Sequence, residues 1–222
     1  MKNLKDIILE HFKYSKFSIL EPVENSKFSI YERLHINKDI KSNIYNYHPK
    51  TRDELIKIVD KLIKERGKKA DLNDIDTSEI TYMSRLFYKY KFNGDISNWN
   101  VSNVEDMSFM FANSRFNGDI SNWDVSNVKT MYSMFGYSKF NGDISNWNVS
   151  NVEDMSFMFE ESKFTGDISK WDVSNVKNMR YMFYGSSFTG DITEWDASNV
   201  KDMNLMFNET PLEKNPPKWY KE

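Results

Sequence analysis

The chain has 222 residues, 39% of them hydrophobic, and a formal net charge of −3. It contains no cysteine, which excludes disulfides, thiolate metal sites and a cysteine nucleophile. No stretch approaches the roughly 18 apolar residues of a membrane span, and the first ten residues lack the apolar run of a secretory signal. The expected location of the chain as written is therefore the cytoplasm, or the cell surface if a leading segment has been removed.

The charge is unevenly distributed along the chain. Residues 1–70 carry 16 lysines and arginines against 10 acidic residues, whereas residues 71–222 carry 14 against 23. Binding to a phosphate backbone needs clustered cations. The acidic second part therefore predicts that the protein does not bind nucleic acid directly.

The N-terminal segment, residues 1–50, is predicted to be a small α+β unit. Apolar residues at helical spacing predict a helix over residues 3–13. Two similar alternating pieces at residues 16–20 and 27–31, separated by a turn that contains proline, predict a hairpin.

Residues 51–67 are predicted to form a capping helix. Thr51 and Glu54 have the spacing of a capping box, in which both side chains satisfy backbone groups at a helix start. Gly67 provides the flexible residue that ends helices. The apolar residues of this helix lie two periods before those of the repeat described next, so it is expected to cap the array.

The remainder of the chain is dominated by a repeat of 24 residues without insertion or deletion. Five clear copies begin at Phe92, Phe116, Phe140, Phe164 and Phe188. A fixed period of this length indicates a solenoid, in which each unit buries its apolar face against its neighbours. We therefore predict an array over residues 68–211 and a C-terminal cap over residues 212–222.

Within one unit, alternation predicts a short strand centred on Trp99 and Val101. A stripe from Val104 through Met107 to Phe111 predicts a short helix that Ser102 caps. The expected fold class is therefore an α/β repeat solenoid, similar to a leucine-rich repeat, with one short parallel strand and one short helix in each 24-residue coil.

The repeat resembles a known bacterial family. The pattern Phe-Asn/Thr-Gly-Asp-Ile-Ser-x-Trp-Asp/Asn-Val-Ser-Asn-Val-x-x-Met-x-x-Met-Phe, which recurs over residues 68–211, is similar to the repeat of BspA-like leucine-rich-repeat surface proteins. The same repeat occurs in a mycoplasma family of unknown function. The resemblance implies a solenoid with protein-binding or adhesive roles.

Three of the residue types that recur in every full copy could bind a ligand, and each is expected to be structural. The aspartates at Asp95 and its equivalents would stack about 5 Å apart, a spacing that invites calcium. Calcium takes 6–8 oxygen ligands, so turn capping by each aspartate is the favoured interpretation and no metal is predicted. The tryptophans at Trp99 and its equivalents are predicted to be core rather than a sugar-binding platform, and the methionines to fill that core.

No catalytic or cofactor-binding residues are predicted. The three histidines, His11, His35 and His48, all precede the array. Serine and aspartate recur in every unit, whereas a catalytic group is needed only once. The sequence lacks a phosphate-cradling loop and an asymmetric acid–base constellation, so we expect a protein that is not an enzyme.

The positions at which the copies differ are the better guide to function. We expect a scaffold that binds a partner protein along one face, with no cofactor and an oligomeric state that the sequence leaves open. The alternatives are an adhesin fragment that binds host protein or glycan, and a small cytosolic inhibitor, of the kind that phages and mobile elements encode, that blocks a basic nucleic-acid-binding site of another protein. The candidate partner-binding residues are Asn98, Asn100, Asn122, Asp124, Asn146, Asn148, Lys170, Asp172, Glu194 and Asp196 on the predicted strand face, and Phe109, Tyr132, Tyr137, Phe157, Tyr181 and Tyr184 on the predicted helix side.

Overall fold

A computed structural model describes residues 45–221 of the chain. The chain divides into two units, Met1–Asn46 and Tyr47–Glu222, and the architecture below is that of the second. The helix and hairpin predicted before residue 45 lie outside the described residues.

Helix α1 spans Arg52–Arg66 between the two residues at which the sequence places its ends. The hydroxyl of its N-cap, Thr51, accepts a hydrogen bond from the backbone N–H of Glu54 at 3.3 Å. The Glu54 carboxylate accepts in turn from the backbone N–H of Lys50 at 2.7 Å. Gly67 follows the last turn with a φ of 88°. The residues that α1 buries are Leu55, Val59 and Leu62.

Polar contacts attach α1 to the coil that follows it. The Arg66 guanidinium donates two hydrogen bonds to the Asp74 carboxylate, at 2.9 and 2.8 Å. Nε of Arg52 donates to the backbone carbonyl of Ser84 at 2.6 Å. The buried face of α1 therefore covers the apolar end of the array while its two ends are fixed by arginines.

Successive 24-residue coils stack on one another in parallel register. Isolated parallel bridges join residues that lie 24 apart, as in Asp106 to Thr130 and Thr130 to Asp154. The same series begins at Tyr82 and ends at Asp202. The bridges therefore fix the register of each coil against the next, and further backbone hydrogen bonds join the same coils.

The predicted α/β repeat solenoid is wrong in its secondary structure. Over residues 45–221, α1 is the one helix, and the backbone bridges are isolated and form no β-strand. The coils consist of consecutive turns joined by short irregular segments. The leucine-rich-repeat-like coil with one strand and one helix is thus replaced by a coil made of turns.

Hydrogen bonding explains why the predicted repeat helix does not form. The N–H groups of Met107, Phe109 and Phe111 donate to carbonyls of the next coil at 3.1, 2.8 and 2.9 Å. The intervening N–H of Met110 closes a tight turn within its own coil. Phe109 and Asn113 have φ values of 58° and 56°, which an α-helix does not permit. The three-residue spacing of apolar side chains therefore comes from tight turns.

The predicted strand at Trp99 fails for a related reason. The backbone N–H of Trp99 donates to the carbonyl of Ile96 at 3.1 Å, and that of Val104 donates to Val101 at 2.9 Å, so both groups close local turns. The bond to the previous coil comes instead from the indole Nε1–H of Trp99, which donates to the carbonyl of Leu72 at 2.9 Å. A side chain thus replaces the backbone pairing of a strand.

The core is a set of aromatic columns that run through the stacked coils. Phenylalanine rings of one column, for example Phe111 and Phe135, stack at 5.6 Å, and those of a second column, for example Phe116 and Phe140, at 6.3 Å. The predictions of a tryptophan and methionine core are confirmed, because each repeat tryptophan is 4% exposed and the methionines beside them are buried. Trp219 continues the series, since its indole donates to the carbonyl of Ile192 at 2.8 Å.

Candidate functional site

The aspartates that recur in every copy cap their own turns, as predicted. Oδ1 of Asp143 accepts the backbone N–H of Ser145 at 2.9 Å, and the equivalent bonds elsewhere measure 2.9 to 3.0 Å. Backbone and side-chain hydrogen bonds from Ser145 hold the pKa of Asp143 below its ordinary value. The residues in this series are Asp95, Asp119, Asp143, Asp167 and Asp191.

The stacked aspartates do not converge on a point. Over residues 45–221, no three or more histidine, cysteine or acidic side chains are grouped so that they could hold a metal ion. Each of these carboxylates instead uses one oxygen within its own turn. The chemistry of this column is therefore that of a series of separate exposed anions.

The candidates on the predicted strand face fall into two rows. In the first row the side chains are exposed: Asn98, Asn122, Asn146, Lys170 and Glu194. In the second row each side-chain oxygen accepts a backbone N–H two residues later, at 3.1 to 3.2 Å: Asn100, Asp124, Asn148, Asp172 and Asp196. The second row therefore serves local turns, and the first row is the freer of the two.

Aromatic candidates come together in a continuous surface row. We define the aromatic row as Tyr88, Phe109, Tyr132, Phe157 and Tyr181, all of which are half-buried. Successive ring centroids lie 6.2, 4.9, 5.4 and 5.0 Å apart. The row therefore crosses five successive coils without a gap.

The other two aromatic candidates lie beside this row or apart from it. The Tyr184 ring lies 5.2 Å from that of Tyr181 and extends the row at one end. Tyr137 is 50% exposed, and its hydroxyl donates to the Glu160 carboxylate at 3.1 Å. Tyr137 therefore presents a separate ring and contacts no other ring among residues 45–221.

Cations lie on the rings at both ends of the aromatic row. The Arg85 guanidinium is 4.8 Å from the Phe109 centroid and 5.8 Å from that of Tyr88. At the other end, the Arg180 guanidinium is 5.2 Å from the Tyr181 centroid. Such contacts are attractive because the ring face carries partial negative charge. The centre of the row, at Tyr132 and Phe157, has no cation above it among the described residues.

Several rings of the row stand on strained backbone. Phe109, Phe157 and Tyr181 have φ values of 58°, 60° and 55°. The left-handed conformation costs a side chain with a Cβ roughly 1–2 kcal/mol. Ser133, at the equivalent position of the intervening coil, has a φ of 50°. The coil therefore imposes this conformation whatever the side chain, and a large ring is not needed to form it.

Sequence reasoning missed two features of this surface. Tyr88 belongs to the aromatic row although it precedes the clear copies of the repeat. Four exposed cations also recur at 24-residue spacing, each directly before the phenylalanine that starts a copy: Lys91, Arg115, Lys139 and Lys163. The 24-residue alignment contains this signal, since the position is cationic in four consecutive coils.

The repeat also identifies the chain's relatives. A family model described as "Mycoplasma protein of unknown function, DUF285" matches residues 57–162 and 136–219. The two matches together cover most of the chain. The chain belongs to this family. Comparison with curated proteins and with solved structures finds no match.

The DUF285 matches run from within α1 to Trp219. They confirm the predicted resemblance to a mycoplasma family and leave the BspA-like assignment unconfirmed. Over the described residues, no helix has the length and apolar character needed to cross a bilayer, α1 having 15 residues.

Proposed function

We propose that this DUF285 protein is a scaffold without enzymatic activity that binds a partner protein along the aromatic row. The observation that carries the proposal is the unbroken series of half-buried rings on five successive coils. The row offers a partner a continuous series of aromatic rings that crosses five coils.

The physical properties of the row suit an interface. Aromatic side chains contribute a large share of the binding energy in protein interfaces. Rings already packed against each other lose little side-chain entropy when a partner covers them. Only part of each ring is buried, so a partner would gain the burial of the exposed remainder.

The fold does not need the rings at Phe109 and Phe157. Ser133, at the equivalent position of the intervening coil, shows that the coil accepts a small polar residue there. The family match leaves the resemblance to BspA-like surface proteins unconfirmed. That resemblance would agree with a role in adhesion.

The test compares two double variants whose new residues the chain already uses at equivalent positions. F109S/F157S copies Ser133 and removes two rings of the row. N122K/N146K copies Lys170 and alters the exposed row on the other candidate face. Both retain residues that the coil accepts, so thermal melts near that of the wild-type protein are expected of both.

Wild-type and variant proteins are immobilised and exposed to a mycoplasma lysate, and a captured protein is purified and titrated against each form by calorimetry. We expect F109S/F157S to weaken binding at least tenfold, because hot-spot rings contribute about 2 kcal/mol or more each. N122K/N146K should bind as the wild type does. Equal affinity for all three forms, loss with N122K/N146K alone, or no captured protein would contradict the proposal.

A further inference from the structure

Four cations form a second continuous feature of the array. We define the basic column as Lys91, Arg115, Lys139 and Lys163, which are exposed and occupy the same position on consecutive coils. Among residues 45–221, none of them has a carboxylate within the 4.0 Å of a salt bridge. Like charges stacked at this spacing repel one another, so the column does not stabilise the fold through its charges.

Elsewhere the chain neutralises its charges between coils. At another position of the repeat, glutamate and lysine alternate, and Lys129 bonds to Glu105 at 2.9 Å while Lys177 bonds to Glu153 at 2.5 Å. That position therefore pairs charges between coils from Glu105 to Lys177, whereas the basic column, like the oppositely charged column of turn-capping aspartates, carries a single sign. The single sign leaves the basic column available to external anions.

The spacing of the column is set by the core directly behind it. Each cation precedes a buried phenylalanine, and the rings of successive coils lie 6.2, 6.3 and 6.4 Å apart from Phe92 to Phe164. The backbone also links neighbouring coils here, since Arg115 N–H donates to the carbonyl of Tyr90 at 3.1 Å. Chains that hydrogen-bond in this way lie about 5 Å apart, so the cations follow one another along the stack with a step of about 5 Å.

A helix in a partner protein can match this step. Residues four apart on an α-helix are separated by about 6 Å along its axis, and residues three apart by about 4.5 Å. Carboxylates at i, i+4, i+7 and i+11 therefore form a row with nearly the same step as the basic column, within the reach of lysine and arginine side chains.

The groups beside the column favour a peptide over a uniform polyanion. Two residues beyond the first three cations lie Asn93, Asn117 and Asn141, whose Oδ1 atoms accept bonds from the next coil at 2.7 to 2.8 Å. The exposed turn-capping aspartates lie four residues after each cation, and Glu161 lies two residues before Lys163. These anions would repel a nucleic acid backbone, which is negative along its whole width. A helix with one acidic stripe could instead place that stripe over the cations and its neutral or basic faces beside the anions.

We infer that the basic column is a docking site for an acidic helical segment of a partner protein, aligned with the stack so that one carboxylate meets each cation. This inference rests on the proposed function as a protein-binding scaffold and names the chemistry of the partner. It uses a surface distinct from the aromatic row, so each of the two can fail while the other holds.

The probes are two synthetic peptides of identical composition, labelled with a fluorophore. In the striped peptide, glutamates occupy i, i+4, i+7 and i+11 of an alanine-rich helix that carries lysines on its other faces. In the scattered peptide, the same glutamates are distributed around the helix. A single-stranded oligothymidine with the same number of negative charges is the third probe, and fluorescence anisotropy at low salt measures affinity for the whole chain.

Two variants isolate the column. R115S/K139S removes the two central cations of the column. It copies Ser187, which occupies the same position two coils after Lys139. K170N/K201T also removes two exposed cations, copies Asn146 and Thr81, and so has the same net charge. The variant F109S/F157S serves as the control for the aromatic row.

We expect the wild-type chain to bind the striped peptide at least tenfold more tightly than the scattered peptide or the oligothymidine. R115S/K139S should lose about tenfold in affinity for the striped peptide, whereas K170N/K201T and F109S/F157S should retain it. Affinity should fall as salt rises, because the contact is between exposed charges.

Equal binding of the striped and scattered peptides, tighter binding of the oligothymidine, equal losses in the two charge variants, or no binding of any probe would overturn the inference. A partner that needs the aromatic row and ignores R115S/K139S would leave the proposed function standing while removing this docking site. If the striped peptide binds but no captured partner needs the aromatic row, the docking site would stand while the proposed function would fail.

Discussion

Helix α1 and the coils after it satisfy their backbone groups in opposite ways. Within Arg52–Arg66 the hydrogen bonds are those of a helix, and its ends are completed by Thr51 and Gly67. In each coil, alternate N–H groups bond to the next coil, as Phe109 does to the carbonyl of Tyr132 at 2.8 Å. The conformation of α1 is therefore set by local residues, whereas that of a coil depends on the coil stacked beside it.

The largest expected effect comes from removing a side chain that both fills a coil and bonds it to its neighbour. Trp147 is 4% exposed, and its indole donates to the carbonyl of Ile120 at 3.1 Å. Trp147→Ala should lower the free energy of unfolding by about 3–5 kcal/mol, measured by chemical denaturation. Asn146→Ala, at the exposed neighbour, should change it by no more than about 0.5 kcal/mol. Similar losses for the two variants would contradict the placement of the tryptophans in the core.

A smaller effect separates the hydrogen bond of Trp147 from its packing. Trp147→Phe keeps an aromatic ring but leaves the Ile120 carbonyl without its donor. We expect a loss of about 1–3 kcal/mol, the cost of a buried group left unsatisfied, added to a modest packing loss. If Trp147→Phe unfolds at the same denaturant concentration as the wild type, the indole bond does not contribute to joining the coils.

The smallest expected effect concerns acid stability and the turn-capping aspartates. Backbone and hydroxyl hydrogen bonds from the serine or threonine two residues later lower the pKa of Asp143, Asp167 and Asp191 from the ordinary value of 3.8. A carboxyl whose pKa is lower in the folded state stabilises the fold above the unfolded pKa and loses that contribution as the pH falls through the folded pKa. The free energy of unfolding should therefore decline as the pH falls below about 4, the region of the unfolded pKa.

The matched variant for that titration is D143N/D167N, which keeps an oxygen acceptor in each turn but cannot ionise. Its free energy of unfolding should decline less steeply with falling pH than that of the wild type. Parallel curves for the two proteins would show that these turns do not contribute to the acid response.

The contrast between α1 and the coils also explains which features the sequence could predict. Thr51, Glu54 and Gly67 are local signals and they located α1 correctly. The 24-residue period located the buried tryptophans and extended the series to Trp219. Secondary structure inside the coil was wrong, because a three-residue spacing from Met107 to Met110 arises equally from a helix and from tight turns. Only the bonds to the neighbouring coil decide between them.

The candidate surface was predictable in the same partial way. Variable aromatics such as Tyr132 and Phe157 are visible in an alignment of the copies, but their ring contacts depend on how the coils stack. The basic column escaped notice since single lysines on a net acidic array carry no signal by themselves. Once Arg115 and Lys139 are known to lie on neighbouring coils, their uniform sign becomes informative.

The central claim is that the coils are made of turns with left-handed residues, and one pair of variants tests it directly. Phe157→Ala and Phe157→Gly both remove the ring, so their difference reports only the backbone. At a φ of 60°, we expect the glycine variant to be more stable than the alanine variant by about 1 kcal/mol in chemical denaturation. Lys57→Ala and Lys57→Gly, at an exposed site of α1, should show the opposite order by about 1 kcal/mol. If Phe157→Ala is instead more stable than Phe157→Gly, as expected at Lys57, the result would contradict the left-handed turn and favour a helix in the coil.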